Sequence, residues 1–142
     1  MSDFNSLTAS ELGDMIGQCQ IDPVELTEHF LSQIELSPIG RKIYSTVTSK
    51  LALEQAKDSK RRADLGHRLS SLDGVPISWK DLFDISGYPC EAGSELLAGR
   101  LAFKNSKVYN FAEAHGLICL GKTHMSELAF SGLGLNPITE TP

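Results

Sequence analysis

Apolar positions in the first 65 residues recur three and four apart, and polar or Pro-containing breaks divide them into separate helical segments. In "LTASELGDMIGQ", Leu12, Met15 and Ile16 share a face, and Thr8 and Glu11 stand at capping-box spacing. "IDPVELTEHFLSQIEL" carries a stripe of Leu26, Phe30, Leu31 and Ile34. Asp22 suits its N-cap, Pro23 its first position and Glu25 the reciprocal half of a box, while Ser37-Pro38 ends it. After "IGRK", the β-branched run "IYSTVT" predicts a short strand. A third helix is expected from about Ser49 to Leu65, with Leu53, Ala56 and Ala63 inward and Gly66 as its stop. Helices this short are held by packing more than by propensity, so all three need a partner surface.

The period changes at Asp73-Gly74. "GVPISW" alternates and predicts a strand with Val75, Ile77 and Trp79 on one side. Pro76 cannot donate to a ladder, which puts this strand at an edge or makes it irregular. A Gly- and Pro-rich loop runs to Gly99, and "NSKVYNFAEAHG" predicts a helix with Val108, Phe111 and Ala112 inward and Gly116 at the stop. "LICL" is a continuous apolar run, the pattern of a strand buried on both faces. Strand, loop, helix, strand is a βαβ order and implies an α/β fold. The last segment, "GKTHMSELAFSGLGLNPITETP", gives one short helix and then turn chemistry. So few strands leave "LICL" short of neighbours. The 142 residues therefore read as one incomplete domain, with an isolated chain expected to be aggregation-prone.

Composition narrows the class. Hydrophobic residues are 41% and charged residues 22%, a globular balance, and the net charge is −5. The cluster from Lys57 to Arg62, with Arg68 beyond, alternates with Asp58 and Asp64 as on a solvated helix face, so no direct nucleic-acid partner is expected. No apolar run nears the roughly 20 residues of a membrane span, and no signal-peptide pattern opens the chain; the expectation is a cytoplasmic protein with no membrane contact. Cys19, Cys90 and Cys119 form no C-x-x-C pair and read as reduced, buried thiols.

By residue type alone the candidate chemistry stays open. Ser78 and Lys80 lie two apart on a strand and so on one face, either a Ser–Lys pair or a strand-end lysine beside a polar neighbour. Cys119 with His124, and Asp81 with Asp84, are weaker pairings. "GLGLN" lacks the third glycine of a dinucleotide loop. No metal ligand set and no cofactor motif is found.

Two longer blocks carry more. In "LDGVPISWKDLFDISGYPCEAGS", Leu72, Gly74, Val75, Pro76, Lys80, Asp81, Gly87, Ala92, Gly93 and Ser94 match, in order, the motif around the lysine of the amidase signature family. In "GLICLGKTHMSELAFSGLGLNP", Gly116, Gly121, Lys122, Thr123, Met125, Glu127, Ala129, Gly134 and Asn136 match that family's second block. Cys90-Glu91, His124 and Leu128 depart from the usual residues, at positions that bear on substrate preference. The chain thus resembles the N-terminal portion of an amidase-signature domain over nearly its whole length.

The resemblance implies a mixed sheet flanked by helices and a Ser–cis-Ser–Lys site that hydrolyses carboxylic amide C–N bonds through an acyl-enzyme, with no metal or cofactor. Lys80 matches the catalytic lysine, a general base that apolar neighbours such as Ile77, Leu82 and Phe83 would keep neutral. Ser94 would support the lysine loop, and Phe130, Ser131 and Gly132 would line the substrate channel. The two serines sit in a Gly/Ser-rich segment of the family that has no counterpart in these 142 residues, so this chain alone is expected to be inactive. Its partners would be a small amide substrate and, in the complete enzyme, a second copy of itself. Two other readings fit the same blocks: the glutaminase-type component of a tRNA-dependent glutamine amidotransferase, and a truncated, non-catalytic product.

Overall fold

The computed structural model describes residues 4–141. Its centre is a three-stranded sheet of β1 (Tyr44–Val47), β2 (Pro76–Lys80) and β3 (Ile118–Thr123) in the order β1-β3-β2. β3 runs antiparallel to β1 and parallel to β2, so the sheet is mixed. The apolar run "LICL" therefore does not lack neighbours: the last strand in sequence inserts between the two earlier ones, and Ile118 through Lys122 are buried. Pro76 sits on an outer strand, as a residue without an N–H must.

Helices α1 (Ala9–Gly17), α2 (Pro23–Leu36) and α4 (Ser49–Asp64) pack around this sheet, and a short α3 (Gly40–Ile43) leads into β1. Thr8 closes the capping box on α1: its side chain accepts from Glu11 N–H, and the Glu11 carboxylate accepts from Thr8 N–H at 2.7 Å. Asp22 caps α2 through Val24 N–H at 2.7 Å, without the reciprocal Glu25 bond that the spacing suggested. Leu12, Ile16, Ile21, Leu26 and Val75 then form one core cluster. The line Ala52, Ala56 and Ser59 forms the buried face of α4, and small residues there let the helix lie against Ile118 of β3. Leu53, expected inward, is only half-buried.

Helix α5 (Lys107–Ala114) crosses back from β2 to β3. Its buried face is one position away from the expected one. Tyr109 is 2% exposed and packs on Trp79 with ring centroids 5.4 Å apart, whereas Val108 and Phe111 are 55% and 68% exposed. Apolar count alone favours Val108 and Phe111, but the wide Trp79 ring calls for an aromatic partner, and Tyr109 also finds Gln55 and Glu113 for its hydroxyl. Cys90 and Cys119 are buried, and burial pushes both thiols up, away from reactive thiolate character; Cys19, against expectation, is exposed.

The entry to β2 and the entry to β3 are locked together. Asp73, fully buried, accepts two bonds from Arg62 at 2.7 Å each and one from Leu69 N–H at 2.9 Å. Burial pushes its carboxyl up, but these donors outweigh burial and leave it below its ordinary value. Gly116 lies against this carboxylate with φ +83°, and a Cβ there would stand 2.3 Å from Asp73 Oδ1. Gly116→Ala is therefore expected to cost about 1–3 kcal/mol, the scale of a left-handed non-glycine residue, before the overlap is counted. Urea unfolding checks this, and an unchanged midpoint would show that the Asp73 packing is not tight.

Candidate active site

Lys80 is the last residue of β2, at the carboxyl end of the parallel β2/β3 pair, where open α/β sheets place their ligand sites. The chain turns sharply there: the Lys80 carbonyl accepts from Leu82 N–H at 2.6 Å and from Phe83 N–H at 3.1 Å. The Lys80 side chain is exposed and makes no ion pair or side-chain hydrogen bond among the described residues. The apolar setting expected for it does not surround it in this chain. Ile77 and Phe83 pack instead with Trp79 and Tyr109 on the buried side, and Leu82 is 46% exposed.

The next residue behaves oppositely. Asp81 is 5% exposed, and its side chain points into the protein. Its Oδ1 stands 2.7 Å from Lys122 Nζ, a close ion-pair contact too oblique to count as an aligned hydrogen bond. Its Oδ2 accepts from Glu91 N–H at 3.1 Å. Lys122 itself is completely buried and donates to the Pro89 carbonyl at 2.7 Å. Residue pattern marks Lys122 only as a position in the second block. The one signal of its burial is a lysine inside a strand that is otherwise apolar or glycine up to that point.

Backbone bonds tie the lysine turn to the second block. Asp81 N–H donates to Thr123 O at 3.0 Å, Ala92 N–H to Asp81 O at 3.0 Å and Leu128 N–H to Ala92 O at 2.8 Å. Ala92 and Gly93 both take left-handed backbone, φ +49° and +63°, which turns the loop back onto the strand exit. Asn136, 3% exposed, donates through Nδ2 to Gly93 O and Met125 O, each at 2.8 Å, and a Cβ on Gly93 would come within 2.6 Å of that Nδ2. An Asn near a turn is ordinary in sequence, so only the fold shows Asn136 joining two loops.

Ser94, expected to support the lysine loop, is buried and donates to Glu127 Oε1 at 2.7 Å. It also caps the 3-10 turn Glu95–Leu97 by accepting from Leu96 N–H. Phe130, Ser131 and Gly132 lie in an exposed segment, with Phe130 96% exposed. Ser131 O accepts from Ser126 Oγ at 3.2 Å, and no described hydrogen bond or ion pair joins these three residues to Lys80. Ser78 shares the exposed face with Lys80, but its hydroxyl is hydrogen-bonded to Tyr44 from β1. The tyrosine ring passes over Gly121, where a Cβ would stand 3.0 Å from Tyr44 Cδ1. The Ser78–Lys80 pair is thus not formed. The Cys119 sulfur lies 3.5 Å from the Thr48 hydroxyl rather than against His124, and Asp84 pairs with Arg100, not Asp81.

The mixed sheet flanked by helices matches amidase-signature folds over most of the chain. The sequence matches the family described as Amidase over residues 25–142, and the chain belongs to that family. It is 37% identical over 129 residues to a glutamyl-tRNA(Gln) amidotransferase subunit from Acinetobacter baylyi, covering 91% of this chain and 26% of that protein. It superposes on a bacterial aryl acylamidase of the amidase signature family with a TM-score of 0.80 at 27% identity, over 90% of this chain and 27% of that one. A fatty acid amide hydrolase gives a TM-score of 0.86 over 97% of this chain and 24% of its own, at 18% identity, and so shares the fold alone. The chain spans about a quarter of the length of the curated relatives it matches.

Arg100 braces the loop that carries this site, donating to both carboxylate oxygens of Asp84 at 2.7 and 2.9 Å. The Arg100 guanidinium holds the Asp84 carboxyl down at about 2, against an ordinary 3.8. A lowered carboxyl stabilises the fold fully above its unfolded value and loses that contribution as pH falls through the folded one. The stability gap between the native chain and Asp84→Asn is therefore expected to be constant above about pH 4 and to close toward pH 2. Denaturant titrations across that range test this, and a gap independent of pH would remove the pair from the acid response.

Proposed function

We propose that this chain is the lysine-bearing part of an amidohydrolase site in which Lys80 is the general base of a Ser–cis-Ser–Lys triad. The observation that carries the reading is the division of labour at the strand exit. Lys80 points outward with no carboxylate partner among the described residues, while the adjacent Asp81 is engaged by Lys122 on the buried side. An ammonium locked to a carboxylate holds its proton; one left free can give it up once it is desolvated.

In this reading Lys80 takes the proton of a middle serine, which takes that of the nucleophilic serine as it attacks the amide carbonyl. The same proton then passes to the departing amine, and water hydrolyses the acyl-enzyme. Neither serine of the triad has a motif match among these 142 residues. Ser94 and Glu127 hold the loop behind the lysine, and Phe130, Ser131 and Gly132 face the amide substrate. No cofactor or metal takes part. The protein acts in the cytoplasm, on a small carboxamide, as a homo-oligomer.

One observation favours a second reading. The 37%-identical relative is a component of a glutamyl-tRNA(Gln) amidotransferase, and a protein of that type would release ammonia from glutamine within a multi-subunit complex. Turnover of glutamine that rises when partner proteins are added supports this second reading. Hydrolysis of simple carboxamides without partners supports the first. A truncated, non-catalytic product would show neither.

In the enzyme carrying its serine-bearing segment, Lys80→Ala is expected to lower turnover at least about 100-fold, the scale of a lost general base. Lys80→Arg should be as damaging, since a guanidinium keeps its proton. Near-normal turnover in the arginine variant would sink the base assignment. The 142 residues alone should give no serine adduct with a fluorophosphonate, read by intact mass. Stoichiometric labelling of Ser78 or Ser131 would instead place a nucleophile within this chain.

A further inference from the structure

Lys122 is the largest fully buried side chain in the described residues, and the triad chemistry assigns it no task. Its ammonium sits between Asp81 Oδ1 and the Pro89 carbonyl, both at 2.7 Å. Asp81 immediately follows Lys80, and the other near neighbours in sequence, Ile77, Ser78, Trp79, Leu82 and Phe83, carry no charge. The carboxylate best placed by the chain to capture the Lys80 ammonium is thus the one that Lys122 holds.

We propose that Lys122 is a positioning residue for Lys80: by holding Asp81 on the buried side of the β2 exit and cancelling its charge, it keeps the Lys80 amine free of a carboxylate. The consequence for catalysis rests on the reading of Lys80 as the base; the electrostatic claim does not. Removing the Lys122 charge leaves Asp81 unpaired in the interior, where a lone carboxylate is costly and seeks either a proton or another cation. The nearest cation by sequence is Lys80.

Other ionisable groups surround this pair. Asp84, beyond the turn, is already committed to Arg100, and Cys90 and Cys119 are thiols that burial keeps protonated. On the exposed face that Lys80 shares, the Ser78 hydroxyl is bonded to the Tyr44 hydroxyl from β1. The carboxylates among these neighbours are already engaged, Asp84 by Arg100 and Glu91 by Gly99 N–H.

Amine reactivity reads the claim without turnover. The intact protein, with whatever sequence flanks these residues in its gene, is treated with trace N-hydroxysuccinimidyl acetate at fixed pH, and acetylation of Lys80 is followed by peptide mass spectrometry. The exposed Lys50, Lys57, Lys104 and Lys107 serve as internal references. In Lys122→Met, Lys80 acetylation should slow roughly three- to tenfold relative to the references, because a carboxylate brought beside the amine favours its charged, unreactive form. The double variant Lys122→Met with Asp81→Asn should restore it. Where circular dichroism shows that the methionine variant does not fold, Lys122→Gln carries the same test, since it removes the charge and keeps a donor for the Pro89 carbonyl. Unchanged Lys80 acetylation in the folded variant, or slowing that the double variant does not reverse, would overturn the proposal. An active Lys80→Arg enzyme would sink the base reading and leave this result standing, so the two failures are separable.

Discussion

An ammonium with no access to water has to be neutralised where it stands, and much of this structure follows from how Lys122 meets that demand. The effective penalty for one buried ion is several kcal/mol even after relaxation, so a partner that moved away would leave β3 unstable. Asp81 is held in place from four directions. Its side chain meets Lys122 and Glu91 N–H, its own N–H continues the ladder to Thr123, and its carbonyl takes Ala92 N–H. A residue so fully committed cannot drift, and neither can the backbone on either side of it. The exit of β2 is therefore rigid because a charge inside the sheet requires it. Lys80 inherits that rigidity while keeping its own side chain uncommitted.

From Asp81 the constraint spreads outward. Ala92 passes it to Leu128, Ser94 passes it to Glu127, and Asn136 closes the circuit by bonding the carbonyls of Gly93 and Met125. These are polar groups inside the protein, and each would cost about 1–3 kcal/mol if left unpaired, so the loops are bound to one geometry rather than to a family of them. Two stretches well apart in sequence, joined for instance by Ser94 and Glu127 at a separation of 33 residues, behave as one unit. This explains in physical terms why glycines recur there: Gly93 and Gly121 lie where a methyl group would strike Asn136 or Thr46.

How much of this is legible in the residues differs by kind. Amphipathic spacing and caps announce α1, α2 and α4, because local pattern and local hydrogen bonds determine them. Pro76 announces an outer strand. Strand order is hidden, since nothing in "LICL" says that it inserts between β1 and β2 rather than ending a row. The face of α5 departs from the expected one because packing against Trp79, a tertiary event, outweighs the count of apolar residues. At the site, the position of Lys80 can be read from a motif, but its surroundings cannot. Of its expected apolar neighbours, Ile77 and Phe83 turn inward to Trp79 while Leu82 is 46% exposed, and the buried lysine of the region is Lys122. Long-range partners such as Asp81 with Lys122, or Asn136 with Gly93, leave only faint marks in one sequence: a charge in an apolar strand, a glycine with no evident turn.

An exposed Lys80 and a base role for it are compatible only if something covers the amine when chemistry occurs, because general-base catalysis needs the neutral form and desolvation is what favours it. The described surface has the makings of such a requirement. Phe130, Leu133 and Leu135 in the second block, and Phe103 and Phe111 in and before α5, are all more than half exposed. Single exposed apolar residues are unremarkable, but several gathered on neighbouring segments are the kind of surface that is covered in a larger assembly. The chain spans about a quarter of the length of the curated relatives it matches, and on the proposed reading a covering surface would have to come from outside the described residues. The electrostatics within the described residues is already arranged: Asp81 is engaged by Lys122. Asp81 is occupied and Lys80 is free, so on the proposed reading a covering surface would have only to exclude water from the amine and supply a hydroxyl. Breaking a carboxylate pair as well would be a larger task, and this is the one that the proposed role of Lys122 would remove.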